Sequence, residues 1–357
     1  MKKRLPPGLL PRRQRGKHGY RVDRASAKAR FNALAQSDCF DIAIVGSGPA
    51  GATAARLLAH AGRPVVLIDP GETTMARLEV LSPSAIGVVH ALQLEQTLLD
   101  PAIARPCAGI RRRWASQDQE FDDFLCRPGG QGFVVDRAPF DARLREMALA
   151  AGAVAVDGRL LDVRHDQDRF ELTIRSAAAT TRLSALLVVD ASGRPAVAAC
   201  RLGAERILSE RLIAKRESLD QSGAASQEAV WLDVEGRCGM WSYSTLGPDG
   251  RRERWSVHRG ESRRRARDHV VNASAACLTR AAGNGWIAIG DAAVAFDPIA
   301  SQGLANALSS AIVSAGAIAY EGNITPRVAS DYSASISTTF EYSEHERSKV
   351  YRAMRRN

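Results

Sequence analysis

The chain has 357 residues, 45% of them hydrophobic, which is enough to bury a large core divided between two lobes. Its six cysteines, Cys39, Cys107, Cys126, Cys200, Cys238 and Cys277, lie far apart with no C-x-x-C pair. That spacing argues against a zinc site or a compact disulfide framework, and points to small core thiols in a reducing cytoplasm.

The formal net charge of +10 resembles a nucleic-acid signature only until it is located. Residues 1–30 hold eleven Lys or Arg against the single Asp23, and the rest of the chain balances 38 against 38. With Pro6, Pro7, Gly8, Pro11, Gly16 and Gly19 in it, residues 1–37 read as a basic, disordered tail. The alternative is an electrostatic docking arm for an acidic partner; no specific nucleic acid is expected. Arg12-Arg13 is followed by no apolar stretch before Asp38, so it is no export signal. Arg63 and Asp69 bracket the strongest apolar run near the N-terminal third, so no membrane span is expected.

Phe40-Asp41-Ile42-Ala43-Ile44-Val45 predicts a buried strand, Gly46-Ser47-Gly48-Pro49-Ala50-Gly51 a tight loop, and Ala50 to His60 a helix. Gly46 permits the turn, Gly48 lets backbone approach a pyrophosphate, and Gly51 lets helix pack on strand. A second strand, Pro64 to Ile68, ends at Asp69, 18 residues past Gly51, near the spacing of a ribose-binding carboxylate. Strand, loop, helix, strand and acid together predict a dinucleotide site, with FAD and NAD both open at this point.

Further along, Gly129-Gly130-Gln131-Gly132 runs directly into Phe133-Val134, so no second dinucleotide domain follows. Asp136-Arg137 precedes a helix carrying Asp141 to Ala150, and taken alone reads as a surface ion pair capping that helix. Trp241 and Tyr243 alternate on a predicted strand with Trp231, Trp255 and His258 nearby, and are candidates to line a substrate cavity or simply core. Arg251, Arg252, Arg254, Arg259, Arg263, Arg264, Arg265 and Arg267 make a basic edge, read as a solvated face or as recognition of an acidic peptide.

Near the far end, Gly285 to Ile289 reads as a strand entering Gly290-Asp291, then Asp297-Pro298 and Ser301-Gln302-Gly303 before a helix from about Leu304. Asp291 can accept from a ribitol hydroxyl, which NAD lacks, and the Gly303 helix start aims N–H groups at the pyrimidine edge of a flavin ring. These residues decide for FAD.

With Phe133-Val134-Val135-Asp136-Arg137-Ala138-Pro139-Phe140-Asp141 and Val188-Val189-Asp190-Ala191-Ser192-Gly193-Arg194 added, residues 38 to 355 resemble the single-Rossmann FAD oxidoreductases. Aromatic hydroxylases, geranylgeranyl reductases and tryptophan halogenases belong to that group. The resemblance implies Arg137 beside the flavin and its phosphates, and Asp190 with Gly193 supporting the crevice. It also implies Val163 meeting adenine through its backbone, and Pro298, Ser301, Gln302 and Gly303 lining the isoalloxazine.

Gly109 to Trp114 and Met240 to Ser244 are similar to halogenase-like flavoproteins, whose relatives oxidise a tryptophan within a partner protein to build a quinone cofactor. This implies a monooxygenase that hydroxylates an aromatic small molecule, or a peptide- or protein-borne tryptophan, through a flavin hydroperoxide. Electrons would come from NAD(P)H or a separate flavin reductase, or from the substrate itself.

Halogenation is the first alternative, yet Trp241-Ser242-Tyr243 lacks the Trp-x-Trp-x-Ile-Pro pattern of that subgroup and no lysine accompanies Cys107-Ala108-Gly109. A prenyl reductase, or an FAD-binding protein with an incomplete substrate site and little turnover, are the others. The expected fold is α/β: a Rossmann-type FAD domain of residues 38–75, 140–203 and 282–322, with a smaller discontinuous β-rich substrate domain of 76–139 and 204–281. A helical segment, 323–357, ends in Tyr351 to Asn357 and is expected to be truncated relative to the group.

Overall fold

The computed structural model describes residues 39–71, 77–114, 118–221, 228–237, 240–260 and 270–355. The basic segment 1–37, Cys238, Arg263, Arg264, Arg265 and Arg267 lie outside the described residues.

The strand Cys39–Val45 sits between Val65–Asp69 and Thr180–Asp190, parallel to both. Trp286–Ala288 continues the parallel set on one side and Val154–Asp157 on the other. A parallel sheet is covered on both faces, so its strands are apolar throughout rather than alternating. Ile42, Ala43 and Ile44 are accordingly fully buried. On one face pack the helices Pro49–His60, Arg137–Ala150 and Gly303–Glu321. On the other lie Val163, Phe170, Leu172 and the short helix Val197–Arg201. The C-terminal ends of the parallel strands at Val45, Asp69, Asp190 and Ala288 converge, the place where open α/β sheets bind ligands.

A second sheet runs in the order Val270–Asn272, Leu212–Gln221, Arg251–Arg259, Met240–Leu246, Val230–Arg237, Ala104–Trp114, Gly132–Asp136, Leu78–Leu81, with Glu120–Asp123 paired to Ala104–Trp114. Its inner face is apolar and aromatic. Its outer face is charged: Arg111 forks onto Asp233 at 2.6 and 3.0 Å, and Arg254 meets Glu235 at 3.0 Å. Arg251 reaches Asp136 and Asp249, Arg252 reaches Asp233, and Arg259 meets Glu210. The four described arginines of the expected basic edge each have a carboxylate partner, so that edge carries less positive charge than its composition suggests.

The expected boundaries shift in two places, and the expected C-terminal helical segment joins the two lobes. The segment from Pro83 to Ile103 contributes Val89, Leu92, Leu94 and Leu98 to the core beneath the entrance helix, not to the second sheet. The strands Arg206–Leu208, Ala276–Leu278 and Val294–Ala295 form a small separate sheet. The C-terminal helix Pro326–Arg355 packs through Tyr332 and Ile336 on the parallel-sheet lobe and through Val350 and Tyr351 on the second sheet. None of these contacts leaves a periodic signal in the local sequence, because each pairs residues far apart in the chain.

Among the described residues one helix, Gly303–Glu321, is long and apolar enough by length and composition to cross a membrane. Here its Leu304, Leu308, Ala311, Ala315 and Ile318 are buried in the protein core. Cys107 and Cys277 are buried as expected of small core thiols, whereas Cys126 and Cys200 are exposed. Burial pushes the Cys107 thiol up to about 11, which keeps it protonated at neutral pH.

Candidate active site

The two sheets enclose a cavity of about 500 Å³ at the C-terminal ends of the parallel strands. Its first wall is the glycine loop. Gly46 has φ +102°, and a Cβ there would stand 2.3 Å from the Ala191 carbonyl oxygen. A Cβ on Gly51 would stand 1.8 Å from the Gly46 carbonyl oxygen, so only glycine lets the helix seat this closely. Gly48 is different: a Cβ there meets no atom within 4 Å. It opens onto the cavity as the residue preceding the helix Pro49–His60, whose first N–H groups have no intrahelical acceptor.

Asp69 lines the same wall, accepting from the Ser47 N–H at 2.8 Å and the Gly71 N–H at 3.0 Å. Pro49 and Ala50 also line the cavity, while Ser47 and Gly51 stand behind it.

The far wall comes from residues 191–194 and 289–303. Asp291, Pro298, Ser301, Gln302 and Gly303 all line it, and a Cβ on Gly193 or Gly303 would project into open space. Gly290, with φ +59°, instead packs against Ala50, a Cβ there lying 3.0 Å from the Ala50 methyl. Three backbone surfaces open to the cavity, at Gly48, Gly193 and Gly303, thus fit a ligand that approaches main chain closely along its length.

Besides Ser47, Gly51 and Gly290, two further expected cofactor residues do not line the cavity. Val163 is buried in the apolar layer behind the parallel sheet, paired with Leu172, and does not reach the cavity. Asp190 is fully buried and does not line the cavity either. Its carboxylate accepts from the Ser192 N–H and hydroxyl at 2.9 and 2.6 Å and from the Ala198 and Ala199 N–H groups at 2.8 and 2.7 Å. Burial pushes its carboxyl up, opposed by those donors. Asp190 therefore shapes the 191–194 turn and leaves contact to Ser192, Gly193 and Arg194. Asp190→Asn would turn an NH₂ group toward N–H donors and is expected to destabilise the protein by about 2–4 kcal/mol in urea unfolding; a loss below about 1 kcal/mol would contradict this role.

Arg137 lines the cavity, and its ion-pair partner is not Asp136. Its guanidinium forks onto buried Asp141 at 2.9 and 3.0 Å and donates to Glu79 at 2.5 Å. Asp136 caps the helix through the Ala138 N–H and pairs with Arg251. Glu79 also meets Arg77 at 2.7 Å.

The roof is the inner face of the second sheet. Arg112, Val234, Tyr243 and Trp255 form one row across four strands, and Trp114 and Trp241 lie in the next, separated by Gly236. Trp241 and Tyr243 stack obliquely with centroids 5.5 Å apart. Burial, and then the negative field of Glu79, push the Tyr243 phenol well above its ordinary range, so it is a neutral hydroxyl at any physiological pH. Trp231 lies outside this lining, edge-on to Phe121, and the His258 ring nitrogen contacts the Arg259 carbonyl.

Arg77, Glu79, Arg112, Trp114 and Arg194 line the cavity without having been expected there. Arg112, Trp114 and Arg194 fall within segments that carry the family resemblance, and Ile110, Arg112 and Trp114 also alternate along their strand; Arg77 and Glu79 have no such signal.

A family model for the FAD binding domain matches residues 39–281. The chain belongs to that family. It is an FAD-dependent oxidoreductase, and FAD is its cofactor. The putative FAD-dependent oxidoreductase LodB of Marinomonas mediterranea is 23% identical over 313 residues, covering 79% of this chain and 85% of LodB. Among solved structures, the flavin-dependent brominase Bmp2 superposes with a TM-score of 0.68 at 18% identity over 88% of this chain and 93% of Bmp2. The peptidyl tryptophan dihydroxylase QhpG superposes with a TM-score of 0.60 at 23% identity over 77% of this chain and 66% of QhpG. These likenesses establish the fold for this FAD-binding family member. The open glycine backbone and the helix N-terminus suit the cofactor's pyrophosphate and ring.

Proposed function

We propose that the protein is a flavin monooxygenase that hydroxylates an aromatic substrate, with a peptide- or protein-borne tryptophan as the favoured form. The observation that carries this reading is the roof: Trp114, Trp241, Tyr243 and Trp255 face the cavity opposite the 298–303 loop, giving planar apolar surface above the position assigned to the flavin ring. Bound flavin, once reduced, supplies the oxygen-transfer chemistry, and the chain must orient and dry the site. The aromatic roof excludes water and stacks a planar ring, while the neutral Tyr243 hydroxyl provides a hydrogen bond without charge.

Halogenation is disfavoured by the lining itself. Past residue 38 the sequence has two lysines, Lys215 and Lys349, and neither lines the cavity. The reading supplies electrons from NAD(P)H or a separate flavin reductase, and five free thiols among the described residues suit a reducing cytoplasm.

The test is turnover of reduced holoenzyme with tryptophan-containing peptides and free aromatics under labelled oxygen gas. Label is expected in the product at one atom or more per turnover. A product carrying chlorine or bromine in halide buffer, or a saturated prenyl chain under reducing conditions, would replace this reading with halogenation or prenyl reduction.

A further inference from the structure

We propose that Tyr351 is a positioning residue that ties the aromatic roof of the cavity to the loop assigned to the flavin ring. The inference rests on placing that ring against residues 298–303. Trp241, on the roof strand, brings its Nε1 to 2.9 Å from the Tyr351 hydroxyl. The Tyr351 hydroxyl lies 2.9 Å from Asp297 Oδ2. An indole N–H only donates, so the Tyr351 oxygen accepts from Trp241 and its single proton is directed to Asp297. The chain has one polarity, and it requires Oδ2 of Asp297 to be an acceptor.

Asp297 transmits this to the loop. Its Oδ1 accepts from the Ile299 N–H at 3.0 Å, capping the 3₁₀ turn Pro298–Ala300, and Ser301 follows with φ +49°. Trp241 and Asp297 both line the cavity, whereas Tyr351 does not, so the hydroxyl joins two walls from behind. Both residues are 3% exposed, and water does not compete freely for these bonds.

The charges around Asp297 come from the same helix and one neighbouring segment. Arg347 lies 3.7 Å from Asp297 and also meets Glu210 and Glu344, and its guanidinium sits over the Tyr351 ring at 5.2 Å. Burial pushes the Asp297 carboxyl up, while the Ile299 N–H, Tyr351 and Arg347 favour its charge.

A purely structural stitch would hold the C-terminal helix to the body and nothing more. That task already falls to other residues: Tyr332 donates to the Ala288 carbonyl at 2.9 Å and Ser333 accepts from the Ala281 and Ala282 N–H groups at the start of the helix, and near its end Arg347 donates to Glu210 at 3.2 Å and to the Ser209 hydroxyl at 2.8 Å. Removing the Tyr351 hydroxyl should therefore leave the helix docked and be felt at the flavin.

The test uses the FAD-loaded full chain. Tyr351→Phe keeps the ring and deletes the hydroxyl; it is expected to raise the FAD Kd roughly tenfold, as losing a hydrogen bond to a buried carboxylate implies. It should also shift the visible flavin spectrum and midpoint potential. Trp241→Phe should shift them too, and the double variant should be no worse than Tyr351→Phe alone, because the path is already broken. Tyr342→Phe, which removes an exposed hydroxyl from the same helix, should change neither. A Tyr351→Phe protein with wild-type Kd, spectrum and potential overturns the proposal, even if its melting temperature falls. Gly303→Leu separates the two layers: it should abolish FAD binding if the ring lies there. Intact binding in that variant overturns the ring placement together with the proposal; lost binding with a silent Tyr351→Phe overturns the coupling alone.

Discussion

Replacing Gly48 by valine is expected to weaken FAD binding at least hundredfold, roughly 2.7 kcal/mol, in a protein that still folds. The backbone at Gly48 has φ −67° and ψ −174°, an extended conformation that valine adopts without strain. A Cβ there meets no protein atom within 4 Å, so the branched side chain enters the cavity without displacing the fold. It would stand in front of the helix N-terminus, where unpaired N–H groups and the positive end of the dipole favour the pyrophosphate. Loss of the glycine itself from the position before the helix costs about 1 kcal/mol of stability at most. Gly51→Ala is the contrasting case. Its Cβ would lie 1.8 Å from the Gly46 carbonyl oxygen, so helix and strand must separate, and fold and cofactor are lost together. Flavin fluorescence titration and thermal unfolding of both apoproteins check the pair. Wild-type FAD affinity in Gly48→Val would move the pyrophosphate away from this helix.

Arg137→Met is expected to destabilise the protein by about 3–5 kcal/mol at neutral pH, because it takes the cation from buried Asp141 and leaves Glu79 with Arg77 alone. Arg137 and Asp141 are both buried, and Glu79 shares the same guanidinium. Burial opposes the charge on Glu79, but Arg137 first and Arg77 second outweigh it and hold its carboxyl below the usual range. A depressed folded value means that Glu79 contributes stability above its unfolded pKa, near 4.3, and loses it as pH falls through the folded value. In Arg137→Met that contribution is cut back to what Arg77 supplies at neutral pH, and a protonated Glu79 no longer needs the lost cation. The gap between wild type and variant should be widest near pH 7 and narrow toward about pH 4. Urea unfolding at the two pH values measures it. A gap below about 1 kcal/mol at neutral pH, or one that widens in acid, would show that the cluster does not hold the site together.

The residues around the glycine loop were legible because their roles are set by backbone geometry within one strand, one turn and one helix. Gly46 needs a positive φ, Gly51 needs the absence of a Cβ, and Asp69 falls at the end of the next strand, all within 31 residues of Cys39. In the 298–303 loop the Gly303 helix start was legible for the same reason, while Pro298, Ser301 and Gln302 came from the family resemblance. Val163, which the resemblance set against adenine through its backbone, has its side chain in the apolar layer behind the parallel sheet and does not line the cavity. Asp190 was placed at the right turn with a supporting role, and only the folded turn shows how it is held: four donors already sit on its carboxylate, so it stays out of the cavity.

By itself the sequence determined that the chain carries a dinucleotide-binding entrance, that a second segment some 240 residues later suits a flavin, and that aromatic residues alternate on a middle strand. Tertiary structure alone decided the rest. Arg137 is neutralised by Glu79 from 58 residues away, and Trp241 reaches Asp297 through a tyrosine 110 residues further along. Local propensity and spacing encode what the chain does over one or two turns. Buried charges and hydrogen-bonded chains are settled only when distant segments exclude water together, so their partners have no signature in the sequence beside them.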